Sequence, residues 1–324
     1  MVTSLHLPDL KPGDRVRHPL LVAEVAQRTT QHGDPFWVLT FTNGSGRIAS
    51  EPFWSERRAE VEDVRRGSIV LVAGEVGWYR EATQLRVTSL TALPPDAVPV
   101  TSLLPSVGAV APWWERLDAM RHHLAKPRLR AVVALYYDDP DLRHRYGACP
   151  AAPAGHHAAI GGLLRHTVEV AEIASAIAMS CGADRDLVIA GALLHDIGKL
   201  EAYTWDGPFD HTARGRALGH VVLGALMLDR RLHEAPGVCT PLERDLLLHL
   251  LLSHHGRLEF GSPVTPMTLE AEVLHWADNA SAKTASMAEA LRTAEHFSGG
   301  ATISRRLWQL DQRRAWRAVS DWGS

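Results

Sequence analysis

Hydrophobic and polar positions alternate along the first third of the chain, in the period of a strand with one buried face. Five short runs predict strands: residues 20–26, 36–42, 47–53, 69–76 and 84–90. Turn-forming stretches, such as residues 31–34 and 43–46, separate them. A longer charged segment, residues 55–67, lies where a five-stranded OB-fold barrel often carries a helix or a long connection. The pattern favours an N-terminal OB-fold barrel, although a small SH3-like barrel would also satisfy it.

From about residue 113 onward the apolar residues recur at spacings of three and four, which is the period of an amphipathic helix. Such spacing runs through residues 114–124, 166–177 and 242–250. Thr240, Pro241 and Glu243 have the form of a capping box with proline at the first helical position. The predicted fold class is therefore multidomain, with a small all-β barrel followed by an all-α helical bundle.

Prolines are dense between the two regions and predict an interdomain linker, because proline removes a backbone donor and disfavours helix. They are Pro94, Pro95, Pro99, Pro105 and Pro112. We therefore divide the chain into a barrel at residues 1–98, a linker at 99–112, a helical domain at 113–296 and a C-terminal tail at 297–324. The tail holds five arginines and two aspartates, so it is mildly basic.

Composition excludes several classes of protein without indicating an activity. The 324 residues include 34 Lys and Arg against 37 Asp and Glu, which excludes a globally basic coat. The longest apolar stretch, residues 246–252, is much shorter than the roughly 20 residues of a membrane-spanning helix. The first 14 residues lack the pattern of a secretory leader, and three widely spaced cysteines favour neither disulfides nor a thiolate zinc site. We expect a cytoplasmic protein that does not enter a membrane.

Residue types that bind divalent metals recur through the helical region. His195 and Asp196 are adjacent, and adjacent residues on a helix diverge by about 100°, so they can share a metal only near a helix end or if Asp196 reaches across. Gly198 is placed to end that helix. Such groups in apolar helices are costly unless a cation satisfies them. The other members of this series are His166, His220, His254, His255 and Asp278. We interpret His233, His249 and His275 instead as packed core histidines.

The motifs around this series resemble those of the HD-domain metal-dependent phosphohydrolases, which are named for a His-Asp pair. The matching positions are residues 163–167, residues 193–199 and Asp278. Together with the barrel, further segments are similar to the YhaM family of 3′-to-5′ exoribonucleases over nearly the whole chain. These segments are residues 155–158, 161–164, 218–220, 253–256, 261–264 and 275–279.

The resemblance implies a site for two divalent ions. One ion would be held by His166, His195, Asp196 and Asp278, and a second by His220, His254 and His255 with Asp196 shared. It favours Mn²⁺, with Fe²⁺ and Ni²⁺ as alternatives that the same mixture of imidazole and carboxylate ligands suits. The chain departs from its relatives at residues 149–155, which lack a common lysine, and at His211, which stands where tyrosine is usual.

Charged and polar residues near this series are candidates for direct contact with a substrate. We predict Asp196 and Lys199 as catalytic residues, because Lys199 is placed to offer positive charge to a phosphate oxygen. A lysine that neutralises a helix C-terminus is an equally good interpretation. His156, His157 and Arg216 are candidates for the rim of the site, with packing beneath the site as the alternative for His156 and His157. For Arg216, a solvated helix face is the better interpretation.

The barrel supplies aromatic and cationic residues of the kind that OB folds use to bind single strands. The candidates are Arg28, Trp37, Phe41, Trp54, Trp78, Tyr79, Arg80 and Arg86. Alternation along the strands predicts that half or more of the aromatic side chains fill the core instead. Because residues 1–98 carry a net charge of −1, any binding surface must be a local patch.

The leading hypothesis is a metal-dependent 3′-to-5′ exonuclease that hydrolyses single-stranded RNA to nucleoside 5′-monophosphates, with single-stranded DNA open as a second substrate. An HD-domain nucleotide phosphohydrolase or a cyclic-dinucleotide phosphodiesterase is the alternative, although residues 256–261 lack the Gly-Tyr-Pro motif of the latter. A non-catalytic single-strand-binding protein is the third hypothesis. Whether the chain forms a homo-oligomer is left open by the sequence.

Overall fold

Five strands close a barrel in the computed structural model, which describes residues 5–79, 82–155, 157–320 and 322. The strands are β1 (Arg15–Thr29), β2 (Pro35–Thr42), β3 (Arg47–Ser50), β4 (Ile69–Tyr79) and β5 (Ala82–Ala92). Their order around the barrel is β1-β2-β3-β5-β4, and β4 pairs with β1 to close it. The pair β3–β5 is parallel and the others are antiparallel. This Greek-key order confirms the predicted OB-type barrel.

Alternate side chains of the strands fill the barrel, as the period of two requires. Leu20, Leu39, Phe41 and Leu85 are fully buried there. The predicted connection between β3 and β4 contains a short helix, α1 (Arg58–Val61), whose Val61 joins the same core. The barrel core is therefore continuous with its covering helix.

The rest of the chain is mainly helical, which confirms the predicted bundle. The elements are α2 (Ala111–His122), α3 (Pro127–Tyr137), α4 (Pro140–Ala148), α5 (Gly162–Cys181), α6 (Arg185–Leu194), α7 (Lys199–Ala202), β6 (Tyr203–Thr204), β7 (Asp210–His211), α8 (Ala213–Glu234), α9 (Pro241–Ser253) and α10 (Leu269–Arg292). The predicted capping box begins α9: Thr240 and Glu243 each accept a hydrogen bond from the other's backbone N–H. No helix among the described residues is both long and apolar enough to span a bilayer.

Helix α5 lies at the centre of this bundle, packed against α6 and α10. Its buried residues are apolar apart from His166 and Thr167. The Thr167 hydroxyl is hydrogen-bonded to the Tyr146 hydroxyl at 2.6 Å, so burial of that polar pair is satisfied. A buried histidine on the central helix is thus surrounded by the elements that carry the rest of the metal-binding residue types.

Two compact units divide the chain: Met1–Ser106 with Thr204–Asp210, and Val107–Tyr203 with His211–Ser324. The break after Ser106 falls inside the predicted linker, and the domain limits at residues 98, 112 and 296 stay predictions. The C-terminal segment is part of the second unit. Its Phe297, Leu307 and Leu310 pack in one buried cluster with Ala290 of α10, so the predicted basic tail is anchored to the helical unit.

Candidate metal centre

Helix ends bring the scattered histidines and aspartates together. Helix α6 ends at Leu194, immediately before His195 and Asp196, and α9 ends at Ser253, immediately before His254 and His255. At these helix ends the two side chains of each pair lie close together, with His195 Nε2 3.1 Å from Asp196 Oδ2 and the ring centroids of His254 and His255 4.4 Å apart. The remaining three residues come from within helices: His166 from α5, His220 from α8 and Asp278 from α10.

Two glycines let the backbones approach closely enough for this arrangement. Gly219 has φ +73° and interrupts α8 immediately before His220, a conformation that favours glycine. Gly198 was expected to end the helix that carries His195, but α6 already ends at Leu194, and Gly198, with φ −64°, directly precedes α7. The reason for glycine there is space: a Cβ would lie 1.9 Å from the carbonyl oxygen of His220.

The two oxygens of Asp196 face two different groups of donors. Asp196 Oδ2 lies 3.1 Å from His195 Nε2 and 3.4 Å from His166 Nε2. Asp278 Oδ1 completes this side, 3.1 Å from His166 Nε2. Ligand atoms of His166, His195 and Asp278 all lie within 4.8 Å of one another. One side of the centre therefore combines two imidazoles with two carboxylates.

The other oxygen, Asp196 Oδ1, points to a second group of imidazoles. It lies 3.4 Å from His220 Nε2 and 3.8 Å from His254 Nε2. Ligand atoms of His220, His254 and His255 also lie within 4.8 Å of one another. Asp196 thus stands between two clusters of donor atoms, as the sequence resemblance implies.

Several donor atoms at this centre are buried and form no hydrogen bond with any residue that the structure describes. They are Nε2 of His195, His220 and His254 and Oδ1 of Asp196. An unsatisfied buried polar atom costs about 1–3 kcal/mol, and native proteins contain few of them. Four such atoms around Asp196 fit the presence of bound cations, which would be their partners.

Backbone carbonyls hold three of the imidazoles in a single tautomer. Nδ1 of His195 donates to Ala192 O, and Nδ1 of His254 donates to Leu251 O, each at 2.7 Å. Nδ1 of His255 donates to the carbonyl of Phe260 at the same distance. A carbonyl can only accept, so the proton resides on Nδ1 and the Nε2 lone pair is left toward the centre, as in metal-binding histidines.

The sequence interpretation missed a supporting network behind His166. His166 Nδ1 donates to Ser281 Oγ at 3.0 Å, and Ser281 Oγ donates to Glu169 Oε2 at 3.1 Å. Glu169 also accepts from Arg165 Nε at 2.8 Å. Burial raises the pKa of Glu169, but hydrogen bonds from His157 and Arg165 outweigh it and lower that pKa to about 2. The available signal was spacing, since Glu169 and Ser281 each follow a predicted ligand by three residues on a helix.

Burial and neighbouring charges together set the pKa values of the side chains at the centre. Burial opposes a charged Asp196, yet His195 and Lys199 hold the pKa of its carboxyl well below the ordinary value. Burial lowers the pKa of His220 to about 3 and that of His254 well below its ordinary value. Burial also lowers the pKa of His166, but hydrogen bonds with Asp196 and Asp278 outweigh it and raise that pKa to about 8. The donor set therefore comprises ionised carboxylates and, at His220 and His254, neutral imidazoles.

The predicted catalytic and rim residues are placed differently from one another. Lys199 is buried, with Nζ 2.5 Å from Asp196 Oδ2, so its charge is held by that carboxylate. His157 lies beside the centre, with its ring centroid 5.4 Å from that of His166 and its Nε2 3.1 Å from Glu169. Arg216 is exposed, and His156 lies outside the described residues.

The three histidines predicted to be core residues have three different environments. His275 is buried and its Nδ1 donates to the carbonyl of His254 at 2.9 Å, as a packed core histidine would. His249 is half-buried and accepts a hydrogen bond from the N–H of Met267. His233 is exposed near the end of α8, so the core prediction for it was wrong.

The predicted single-strand surface on the barrel splits into exposed and buried residues. Trp54, Trp78 and Tyr79 are exposed, as are Arg28 and Arg86. Phe41 is fully buried in the barrel core, so the prediction that it stacks on a base was wrong. Trp37 is half-buried against the same core. Arg80 lies outside the described residues.

Comparisons with known proteins agree with this arrangement. Residues 163–283 match the HD domain family, a span that contains all seven clustered residues. The chain is 31% identical over 284 residues to the 3′-5′ exoribonuclease YhaM of Bacillus subtilis, covering 86% of this chain and 88% of that one. It is 30% identical to the Bacillus licheniformis protein of the same name, covering 95% and 96%. It is 31% identical to that of Oceanobacillus iheyensis, covering 91% of each.

Proposed function

This chain belongs to the YhaM family of 3′-to-5′ exoribonucleases, and on that premise we propose how its residues perform the reaction. It is a metal-dependent 3′-to-5′ exoribonuclease, a hydrolase whose substrate is RNA. Family membership disfavours the alternatives of a nucleotide phosphohydrolase, a cyclic-dinucleotide phosphodiesterase and a non-catalytic binding protein. The assignment of individual residues, ions and surfaces is the proposal.

The helical unit binds two divalent ions on opposite sides of Asp196. His166, His195, Asp196 and Asp278 hold one, and His220, His254, His255 and Asp196 hold the other. The observation that carries this assignment is the set of buried donor atoms without hydrogen bonds, which includes three imidazole nitrogens and Asp196 Oδ1. Mixed imidazole and carboxylate ligands suit Mn²⁺, Fe²⁺ or Ni²⁺ better than Mg²⁺, and we favour Mn²⁺.

Ions in such a site supply activation of water for attack on phosphorus and neutralisation of charge on the phosphate. The protein residues provide the fixed geometry for this chemistry. The carbonyls of Ala192, Leu251 and Phe260 lock the imidazoles, so little reorganisation is needed when substrate binds. No serine or cysteine nucleophile is required.

Lys199 acts at the same centre with Asp196. Its buried ammonium group balances the charge of the Asp196 carboxylate and stabilises the ionised form that a metal ligand must have. Because Asp196 is an immediate neighbour of Lys199, the lysine also keeps positive charge where negative charge builds on a phosphate oxygen. Arg216 belongs to the rim in this proposal, whereas His157, whose side chain is buried, packs beneath the site.

Single-stranded RNA is engaged by the exposed part of the barrel candidates, with release of nucleoside 5′-monophosphates. Trp78 and Tyr79 offer exposed rings for stacking, and Arg28 and Arg86 are exposed cationic residues of the same barrel, Arg86 being paired with Glu51 at 3.3 Å. Cleavage of single-stranded DNA, a homo-oligomeric state and a cytoplasmic location are further parts of the proposal. The three cysteines are free thiols, which fits a reducing compartment.

The direct test uses single-stranded RNA labelled at one end. With Mn²⁺, 5′-labelled RNA should give a ladder of shortening products, whereas 3′-labelled RNA should release a labelled mononucleotide at the earliest times. Metal analysis of the protein should find two ions per chain, and addition of a chelator should stop the reaction. Products that shorten from the 5′ end, or full activity in the chelated protein, would contradict the proposal.

A further inference from the structure

The C-terminal segment, residues 297–320, carries exposed aromatic and cationic side chains on a fixed backbone. Leu307, Leu310 and Ala315 are buried with Ala290 of α10 and anchor the segment. Strand-like bridges join Ile303 to Trp316 and Leu307 to Arg313. The segment is therefore held by packing and backbone pairing, and its outward side chains keep defined positions.

Trp308 is the most prominent of these side chains. It is 66% exposed and lines two cavities of about 400 and 300 Å³. Arg305 and Arg306 line the larger cavity, and Lys283 lines the smaller one. An exposed, anchored indole that borders open space is suited to base stacking.

The charge of this segment complements a phosphate chain. Arg305, Arg306, Arg313 and Arg314 are exposed, and none of them lies within ion-pair distance of a carboxylate of the described residues. Three of the guanidinium groups instead donate to backbone carbonyls: Arg306 to Gln312 O, Arg313 to Leu310 O and Arg314 to Ser304 O. Arg306, Arg313 and Arg314 are therefore fixed without being neutralised, although the whole chain carries a net charge of −3.

Acidic groups nearby do not cancel this charge. Asp311 is paired with Lys283 at 2.6 Å. Glu289 lines the larger cavity and offsets one of the two positive charges of Arg305 and Arg306. The surface around Trp308 therefore has more positive than negative charge, and the excess lies on Arg305 and Arg306.

Two parts of the helical unit connect this surface with the metal centre: the segment from Gly155 to His157, and helix α10. A Cβ at Gly155 would lie 3.7 Å from the Trp308 ring, and Gly155 precedes His157 by two residues. The His157 ring in turn adjoins that of His166. Lys283 follows Asp278 by five residues on α10, a rise of about 7.5 Å along the helix axis.

We infer that this surface binds the single-stranded RNA substrate beside the metal centre. Trp308 stacks on a base, and Arg305 and Arg306 contact the phosphates on either side of it. The inference rests on the proposed function for its substrate and adds a binding surface to it on the helical unit. Since a stacking ring and an unneutralised pair of arginines read no base edges, binding here is independent of sequence.

RNA binding by the full-length protein tests the inference without turnover. Affinity for a fluorescent single-stranded RNA is measured in chelator, so that no RNA is cleaved. Trp308→Ala should weaken binding by at least about fivefold, because one base–aromatic stack is lost, whereas Trp308→Phe should largely retain it. Both variants change an exposed side chain, and melting temperatures equal to that of the original protein would show that the fold is unchanged.

Salt dependence tests the two arginines separately. The pair R305A/R306A should flatten the slope of log affinity against log salt by about 1.4, since two contacts with single-strand phosphates are lost. The pair R128A/R185A removes two exposed arginines elsewhere on the helical unit and should leave the slope unchanged. Binding within twofold of the original protein for Trp308→Ala, or an equal slope for both arginine pairs, would overturn the inference.

Steady-state kinetics and the molecular mass in solution distinguish the remaining outcomes. Trp308→Ala should raise KM for a long RNA and leave cleavage of a dinucleotide unchanged, because the shorter substrate does not reach the surface. If the original protein does not shorten RNA, the proposed function fails, and the binding measurement still decides the surface. If Trp308→Ala converts a dimer into a monomer with unchanged RNA affinity, the surface joins two copies of the chain and the inference is wrong.

Discussion

The metal centre and the barrel surface present their chemistry in opposite ways. At the centre, His195, Asp196 and His254 are each at most 1% exposed, and their polar atoms converge on one another. On the barrel, Trp78 is 61% exposed and Tyr79 is 53% exposed. The first region depends on fixed distances between buried groups, whereas the second depends on rings that remain available to solvent.

This difference determines how each region responds to change. A buried carboxylate surrounded by imidazoles has few alternative partners, so loss of one group leaves the others unsatisfied. An exposed aromatic ring has few packing contacts, so its loss affects what it binds more than the fold. Substitutions that separate activity from stability can therefore test the comparison.

The largest effect on catalysis is expected for Asp196→Asn. The amide keeps the size of the side chain but removes the negative charge that faces both groups of donors, and it leaves Lys199 without its counter-charge. RNA hydrolysis should fall about a hundredfold to a thousandfold while RNA binding is retained. Degradation of end-labelled RNA with Mn²⁺ measures the first effect, and RNA binding in chelator measures the second.

A matched control for Asp196→Asn is His233→Ala, which removes an exposed histidine from α8 outside the centre. Its activity should equal that of the original protein. If Asp196→Asn keeps full activity at saturating metal, the proposal that the Asp196 carboxylate is shared by two ions is wrong.

In the barrel, substitution of a buried residue should lower the stability of the fold. Phe41 is fully buried among Leu20, Leu39 and Leu85, so Phe41→Ala creates a cavity in the core. The free energy of unfolding of the barrel should fall by about 3–5 kcal/mol. Chemical denaturation followed by a barrel signal measures this, with Trp54→Ala as an exposed aromatic control. A nearly unchanged midpoint for Phe41→Ala would contradict its place in the core.

Sequence patterns predicted the elements of the metal centre better than the details around it. The His-Asp pair was expected near a helix end, and the structure places both it and the His-His pair immediately after a helix. Charged groups in apolar helices are rare enough to be informative. Gly198 was misinterpreted, because the need for glycine came from the carbonyl of His220, 22 residues away in the sequence, and no local pattern records such a contact.

A substitution in the hydrogen-bond network behind His166 is expected to have an intermediate effect on metal affinity or activity. Glu169→Gln removes the charge that accepts from Ser281, so the hydroxyl no longer fixes the proton of His166 Nδ1 as firmly. Loss of such a supporting partner typically lowers metal affinity or activity about 10- to 100-fold. Activity measured against Mn²⁺ concentration should show a higher metal requirement.

Thr284→Ala serves as the comparison for Glu169→Gln, because Thr284 is an exposed residue of α10 that donates to the carbonyl of Ala280. It should leave the metal requirement unchanged. If Glu169→Gln lowers activity equally at every Mn²⁺ concentration, Glu169 does not act through the metal site.

On the barrel, the sequence predicted the strands but could not sort every aromatic residue. Phe41 and Trp37 both lie on β2, yet Phe41 is fully buried and Trp37 is half-buried beside Arg58. The period of two puts both residues on one face, so it cannot distinguish Phe41, which lies in the core, from Trp37, which lies near the start of β2 and packs against the core from its edge. The exposed pair near the end of β4 could only be recognised from burial.

The smallest of these effects is expected for Trp78→Ala. The ring is exposed at the end of β4, so its removal should leave the melting temperature unchanged. Loss of one stacking ring should weaken binding of single-stranded RNA by about 1–3 kcal/mol, measured in chelator. Thr83→Ala is the control, because Thr83 faces Trp78 across the β4–β5 pair without an aromatic ring. Equal RNA affinity for Trp78→Ala and Thr83→Ala would show that the barrel's exposed ring takes no part in binding, and the substrate surface would then have to lie elsewhere.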